Sequence, residues 1–314
     1  MGTLISAGTT MGILFVTVAA GYLARKLSWI GEEFDGSLSK IIMYITCPAT
    51  VLNSVLSNQN LPDESVIWNV LFVSVVTFIP IIIFALIVPR FYRIPKSQRG
   101  GHEFTITMGN TAFVGFAVVG AIMGSQAVLY SSIYNIISSL VLYSVGAWMI
   151  SRSGSIKLSR EEQLRYVAKN LLSPAMISCV VALLLALWHV NDFGFIGQTC
   201  SFLGAMTAPA AMLVIGSTLA KYELKAMLSS GWAYLTAFFR LIVAPAIVYI
   251  LGGFLVADSY LLASLTLITA MPAAMMGTVM CIMYGGDLLS VSQCMFITTL
   301  FSLITIPIVA VCVI

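Results

Sequence analysis

The sequence predicts an all-α polytopic membrane protein of ten transmembrane helices, arranged as two inverted five-helix repeats. Three observations lead there. First, 60% of the 314 residues are hydrophobic and 9% are charged, with a mean hydropathy of +1.02. A soluble domain carries about 25% charged residues, and a soluble fold of this length could not cover so much apolar surface. Second, the cations fall in every other connection between apolar runs, as expected when basic loops stay in the cytoplasm. Third, two apolar runs in corresponding places of the two halves are interrupted by helix-breaking residues.

A span needs about 20 apolar residues. On that measure the spans are 4–24, 37–57, 66–89, 104–123, 127–150, 170–189, 196–219, 231–254, 259–284 and 288–313. The connections are short and polar or glycine-rich, except SRSGSIKLSREEQLRYVAK (151–169), which reads as a cytoplasmic linker between a first repeat, 1–150, and a second, 170–314. Arg25, Lys26 and Lys40 flank the first connection, and Arg90, Arg93, Lys96 and Arg99 fill the third. Arg152, Lys157, Arg160, Arg165 and Lys169 fill the fifth, and Lys221 and Lys225 lie in the seventh. The even connections hold Asp63, Glu64, Asp192 and Asp258 but no Lys or Arg. Ten spans of a cytoplasmic-membrane protein with both termini outside therefore put every loop cation on the cytoplasmic side. No basic residue precedes the first apolar run, so an uncleaved first span is expected rather than a signal peptide.

Five spans per half is an odd number, so two related halves are expected to lie upside down to each other. Pro48 in ITCPATVL answers Pro209 in MTAPAAML at an offset of 161, and Pro80 in FIPIII answers Pro245 in VAPAIV at 165. The segment TAMPAAMMGTVMCIMYGGD (269–287) likewise answers MGNTAFVGFAVVGAIMGSQ (108–126). Pro272 has no N–H to donate and clashes with the preceding turn, and Gly277 adds a flexible point. In the earlier segment Asn110 and Thr111 form a polar break between Gly109 and Gly115. A helix broken at membrane depth frees backbone groups, which is tolerated only beside protein or a water-filled cavity. Secondary transporters hold substrate at such breaks.

Arg240, in AFFRLIVAP, lies about 15 Å into its span. A charge there costs at least about 2.5–3.5 kcal/mol unless it faces protein, water or an anion. No Asp or Glu lies at comparable depth. Its partner is then the substrate anion or carbonyls freed by the breaks, and a structural cation at negative half-helix ends is an equal alternative. Asn110 and Thr111 stand where half-helix N–H groups could meet an anion. Asn53, Asn135, Thr207 and Ser217 are further interior candidates, for which interhelical hydrogen bonds of about 0.6 kcal/mol are the plainer reading. Glu103 and Asp287 are expected at span ends, Asp287 as the N-cap of the last span. His102 and His189 are expected at the membrane interface. The methionines at 271, 275, 276, 280 and 283 read as adaptable packing. With no deep carboxylate to shuttle a proton, uniport, sodium coupling and proton coupling all stay open. The six cysteines form no CxxC pair, so neither a zinc site nor a disulfide framework is expected. No nucleophile–base pair or phosphate loop stands out, so neither an enzyme nor a cofactor is expected.

GYLARKLSWIGEEFDGSLSKIIMYITCPATVLNSV (21–55), GNTAFVGF (109–116) and AMPAAMMGTVMCIMYGGDLLSVSQCMFITTLFSLITIPIV (270–309) resemble the auxin efflux carrier (PIN-like) family of membrane transporters. The resemblance implies a scaffold of spans 1, 2, 6 and 7, and a mobile transport domain of spans 3–5 and 8–10 with crossed, broken helices 4 and 9. It also implies a cargo of small organic anions, carboxylates such as malate-like or auxin-like acids. The chain departs from the family in lacking a proline after Gly115, so its span 4 break rests on Gly109, Asn110 and Gly115. The expected function is a secondary transporter with elevator-type alternating access; an anion channel or a non-transporting membrane sensor is the alternative. Its substrate-binding residues are expected to be Asn110, Thr111, Gly115, Arg240, Pro272, Asn53 and Asn135. Expected partners are the organic anion and the lipid bilayer, not nucleic acid. A sodium or proton coupling ion and a homodimer partner remain open.

Overall fold

In the bilayer core no water is at hand to satisfy backbone groups, so a chain this apolar must close its hydrogen bonds within helices or a barrel. The computed structural model describes residues 2–31, 33–56, 61–191 and 194–314, and builds them from helices. In chain order these are α1 (Gly2–Lys26), α2 (Glu33–Leu56), α3 (Glu64–Phe91), α4 (Lys96–Thr107), α5 (Thr111–Met123) and α6 (Ser125–Ser153). The second half holds α7 (Arg160–Leu171), α8 (Pro174–Leu187), α9 (Phe195–Lys221), α10 (Gly231–Leu255), α11 (Ser259–Thr269), α12 (Met276–Tyr284) and α13 (Leu288–Val313). Among the described residues, six of these helices (α2, α3, α6, α9, α10 and α13) are long and apolar enough to cross a membrane singly, and α7 and α8 form a pair bent by 57°.

Both interrupted segments are interrupted in the structure. The span expected over 104–123 is divided between α4 and α5, and that over 259–284 between α11 and α12. The linker is not wholly irregular, because α7 fills most of it and starts on a capping box. Ser159 Oγ accepts from the Glu162 N–H, while the Glu162 carboxylate accepts from the Ser159 N–H. That backbone donor holds the Glu162 carboxyl below its usual pKa. Asp192 lies outside the described residues.

One proline of each matched pair, Pro48 and Pro245, follows a wider helical turn, whereas Pro80 and Pro209 sit in regular α-helix. A π-helical turn, Ile42–Thr46, ends two residues before Pro48 in α2, and another, Phe239–Val243, ends two residues before Pro245 in α10. Proline lacks the N–H for the i→i−4 bond and crowds that carbonyl, and a wider turn relieves both.

Helix α1 lies along residues 207–221 of α9, and α2 packs on α8 and on residues 195–204 of α9. At the α1–α9 contact the backbones nearly touch. A Cβ at Gly21 would strike the Leu213 carbonyl, and one at Gly216 would stand 2.7 Å from the Tyr22 nitrogen. Small residues allow such approach where helices pack in a bilayer. The remaining helices, α3–α6 and α10–α13, form a second group in which α4 touches α3, α6 and α13, and α11 touches α6, α10 and α13.

One end of the second group carries its ionic contacts. Glu103 on α4 is fully buried; Arg90 of α3 reaches it at 3.0 Å and Arg152 of α6 forms a second ion pair. Asp287 caps α13, accepting from the Ser290 N–H at 2.9 Å as expected for an N-cap. His102 departs from its expected interfacial place. It is fully buried, with Nδ1 2.6 Å from Thr236 Oγ1 of α10 and Nε2 3.1 Å from Ser290 Oγ of α13. Its sequence position near a run of cations hid the fact that three helices close around it.

Candidate crossing site

The two breaks meet. The Asn110 N–H donates to the Pro272 carbonyl at 2.7 Å, and the Ala274 N–H donates to the Met108 carbonyl at 3.0 Å. Between them Gly109 and Ala273 form an antiparallel bridge. Backbone groups that each break would have stranded thus satisfy one another, which meets the main constraint on irregular chain at this depth. Thr298 Oγ1 of α13 takes up one more donor, the Ala273 N–H, at 3.2 Å.

Four helix ends converge on this crossing, two of each polarity. The C-terminal ends of α4 and α11 share a single cation. Arg240 donates from Nε to the Met271 carbonyl (3.1 Å), from Nη1 to those of Ile106 (3.3 Å) and Thr107 (3.1 Å), and from Nη2 to that of Thr269 (2.5 Å). The side chain is 2% exposed. Gly109 makes room for it, since a Cβ there would collide with Nη2.

The N-terminal ends of α5 and α12 border a cavity of about 260 Å³. The first amides of a helix have no intrahelical acceptor, and such an end carries about half a positive charge. Residues Gly109 to Phe113 and Ala274 to Met276 form this wall. Asn135, Ser138 and Ser139 of α6 face them, and Asn170 and Ser173 close the side where the chain passes from α7 to α8. Asn110 caps α5 through Oδ1, which accepts from the Phe113 N–H at 3.3 Å. Thr111 Oγ1 donates to Asn135 Oδ1 at 2.6 Å, fixing that amide so that its NH₂ points to Cys179 Sγ, 3.7 Å away. None of the described residues lining the cavity is acidic or basic. A smaller cavity of about 100 Å³ shares Asn110, Phe113 and Met275, so the crossing stands between two hollows.

Of the residues singled out from the sequence, Asn110, Thr111 and Asn135 come together on the main cavity. Gly115 and Pro272 do not line it. Gly115 is buried where α5 closes on Ile268 of α11, and Pro272 contributes its carbonyl to the bridge. Arg240 lies behind the crossing and lines neither hollow. Asn53 faces a different cavity of about 300 Å³, together with Thr50, Gly120 and Thr207. There Thr50 and Thr207 join α2 to α9 through a 2.7 Å hydroxyl contact, the interhelical reading expected for Thr207. Sequence reading missed Ser138 and Ser139, although they follow Asn135 at the i+3 and i+4 spacing that places side chains on one helix face. It also missed Asn170 and Ser173, which it placed at the start of the span 170–189, whereas the structure turns the chain there from α7 into α8.

A family model described as a membrane transport protein matches residues 7–310. An uncharacterized transporter of Methanocaldococcus jannaschii is 25% identical over 301 residues, covering 94% of each chain. A second uncharacterized transporter, from Methanothermobacter thermautotrophicus, is 25% identical over 312 residues and covers 96% of each chain.

Proposed function

Because the chain belongs to the membrane transport protein family, the auxin-efflux-carrier-like group that its motifs resemble, we propose that it is a secondary transporter for small organic anions of the carboxylate type. The observation that carries this reading is the polarity of the crossing. Arg240 covers the two negative helix ends, while the two positive ends open on a cavity with no charged side chain among its described lining residues. An anion there meets oriented backbone amides with no acidic neighbour to repel it. Hydroxyls and amides of Thr111, Asn135, Ser138 and Ser139 are placed to orient a carboxylate beside them.

In this reading ten spans form two inverted repeats, 1–150 and 170–314. The reciprocal pairing of α1 with α9 and of α2 with α8 supports it, since inverted repeats exchange those two contacts. Helices α1, α2, α8 and α9 act as the scaffold, and α3–α6 with α10–α13 move across the membrane as an elevator. Both termini lie outside the cytoplasmic membrane and the cation-rich ends face the cytoplasm. The main cavity, bordered by Ser39, Asn170 and Ser173, then opens inward.

Purified protein melted against a panel of mono- and dicarboxylates and auxin-like acids tests the site, because a ligand of the native state raises stability by mass action. A saturable rise with one acid, followed by counterflow of that acid in proteoliposomes, is expected. Conductance without counterflow would instead identify an anion channel. No melting shift with any acid, together with no counterflow, would end the carboxylate reading.

A further inference from the structure

We infer that Arg240 is a resident counter-cation: its guanidinium occupies a carbonyl cage at the crossing that could otherwise take an alkali cation, so that the carrier works without sodium bound there. The cage stands on geometry alone, whereas its consequence for the transport cycle rests on the transporter reading above.

Four carbonyl oxygens, those of Ile106, Thr107, Thr269 and Met271, converge on one group at 2.5–3.3 Å. They come from the last turns of α4 and α11 and from the unwound residues after α11. Unwound carbonyls and half-helix C-terminal ends are the chemistry with which secondary transporters coordinate sodium. Here that chemistry is already satisfied. A guanidinium is always charged and presents donors in a planar fork, so it can serve oxygens arriving from both half-helices at once. None of the ion pairs among the described residues involves Arg240, so the carbonyls are its counter-charge. Being part of the chain, the cation cannot leave, and its occupancy does not follow any ion gradient. Gly109 keeps the space open, since any Cβ there collides with Nη2.

The test is the melting temperature of detergent-purified protein in sodium, potassium or choline chloride at constant ionic strength, a readout that needs no substrate. The wild type is expected to melt at one temperature in all three salts. Arg240→Ala empties the cage, and the expected result is a lowered melting temperature that sodium or methylguanidinium, but not choline, raises saturably. Arg240→Lys, which returns one positive charge, is expected to recover part of the loss and to lose the response to added cations. A saturable sodium-specific rise in the wild type would overturn the inference, as would a folded Arg240→Ala indifferent to every cation. If Arg240→Ala cannot be obtained folded, Gly109→Ala decides, because its Cβ would overlap Nη2 and stand 2.9 Å from Cζ, pushing the guanidinium head from the cage while the rest of the side chain stays. A cation-specific rise in that variant but not in the wild type supports the cage, and its absence overturns it. Transport plays no part in these readings, so the outcome here and the outcome of the carboxylate screen are separable.

Discussion

Asn110 and Pro272, 162 positions apart, are joined by a 2.7 Å hydrogen bond from the N–H of one to the carbonyl of the other. Each lies at a break that its own helix cannot repair. The bond, with its companion between Ala274 and Met108, makes each break the partner of the other. The crossing is therefore one structural unit. Damage to either strand of it is felt by both half-helix pairs.

Thr111 and Asn135 test the binding face. Asn135→Ala removes the acceptor of the Thr111 hydroxyl, an interhelical bond worth about 0.6 kcal/mol in a bilayer. The fold should survive with little change in melting temperature. The melting shift induced by the acid found in the carboxylate screen should fall sharply, and an unchanged ligand shift would remove Asn135 from the site.

The α1–α9 contact predicts opposite signs for two glycine substitutions. Gly216→Ala drives a Cβ into the backbone of α1 and should destabilise by about 1–3 kcal/mol, the usual range for overpacking. Gly12→Ala, on the same pair of helices, meets nothing within 4 Å. It should be neutral or stabilise by up to about 1 kcal/mol, since alanine loses less backbone freedom in a helix than glycine. Thermal unfolding of the two variants side by side is the measurement, and equal effects would contradict the close approach.

Glu103 is a buried acceptor for two arginines that are themselves part-exposed, 43% for Arg90 and 31% for Arg152. Glu103→Gln should lower the melting temperature by less than loss of a fully buried pair would, about 3–5 kcal/mol, because both arginines can turn to water. Arg90→Gln should cost less again, as Arg152 remains. A greater loss for Arg90→Gln than for Glu103→Gln would show that the carboxylate is not the centre of this contact.

Orientation is open to chemical labelling. In a cysteine-free background, cysteine replacing Asp63 or Asp192 should react with an impermeant maleimide in intact cells. Cysteine replacing Lys96 or Lys157 should react only after permeabilisation. Labelling at 157 without labelling at 63 would reverse or break the proposed topology.

The sequence by itself determined the membrane environment, the positions of both helix breaks and the Asp287 cap. These are local matters: composition, a missing N–H at Pro272, and a side chain beside the first amides of its own helix leave their mark within a few residues. Only the tertiary structure decided what Arg240 and His102 do. Depth in a span showed that Arg240 needed partners, but the carbonyls of Ile106 and Thr107 lie 134 and 133 positions away, and every residue offers a carbonyl alike. His102 looked interfacial for the same reason, since Thr236 and Ser290 reach it from helices distant in sequence. Composition and spacing tell where a bilayer forces a group to find a partner; which partner it finds depends on how the helices pack.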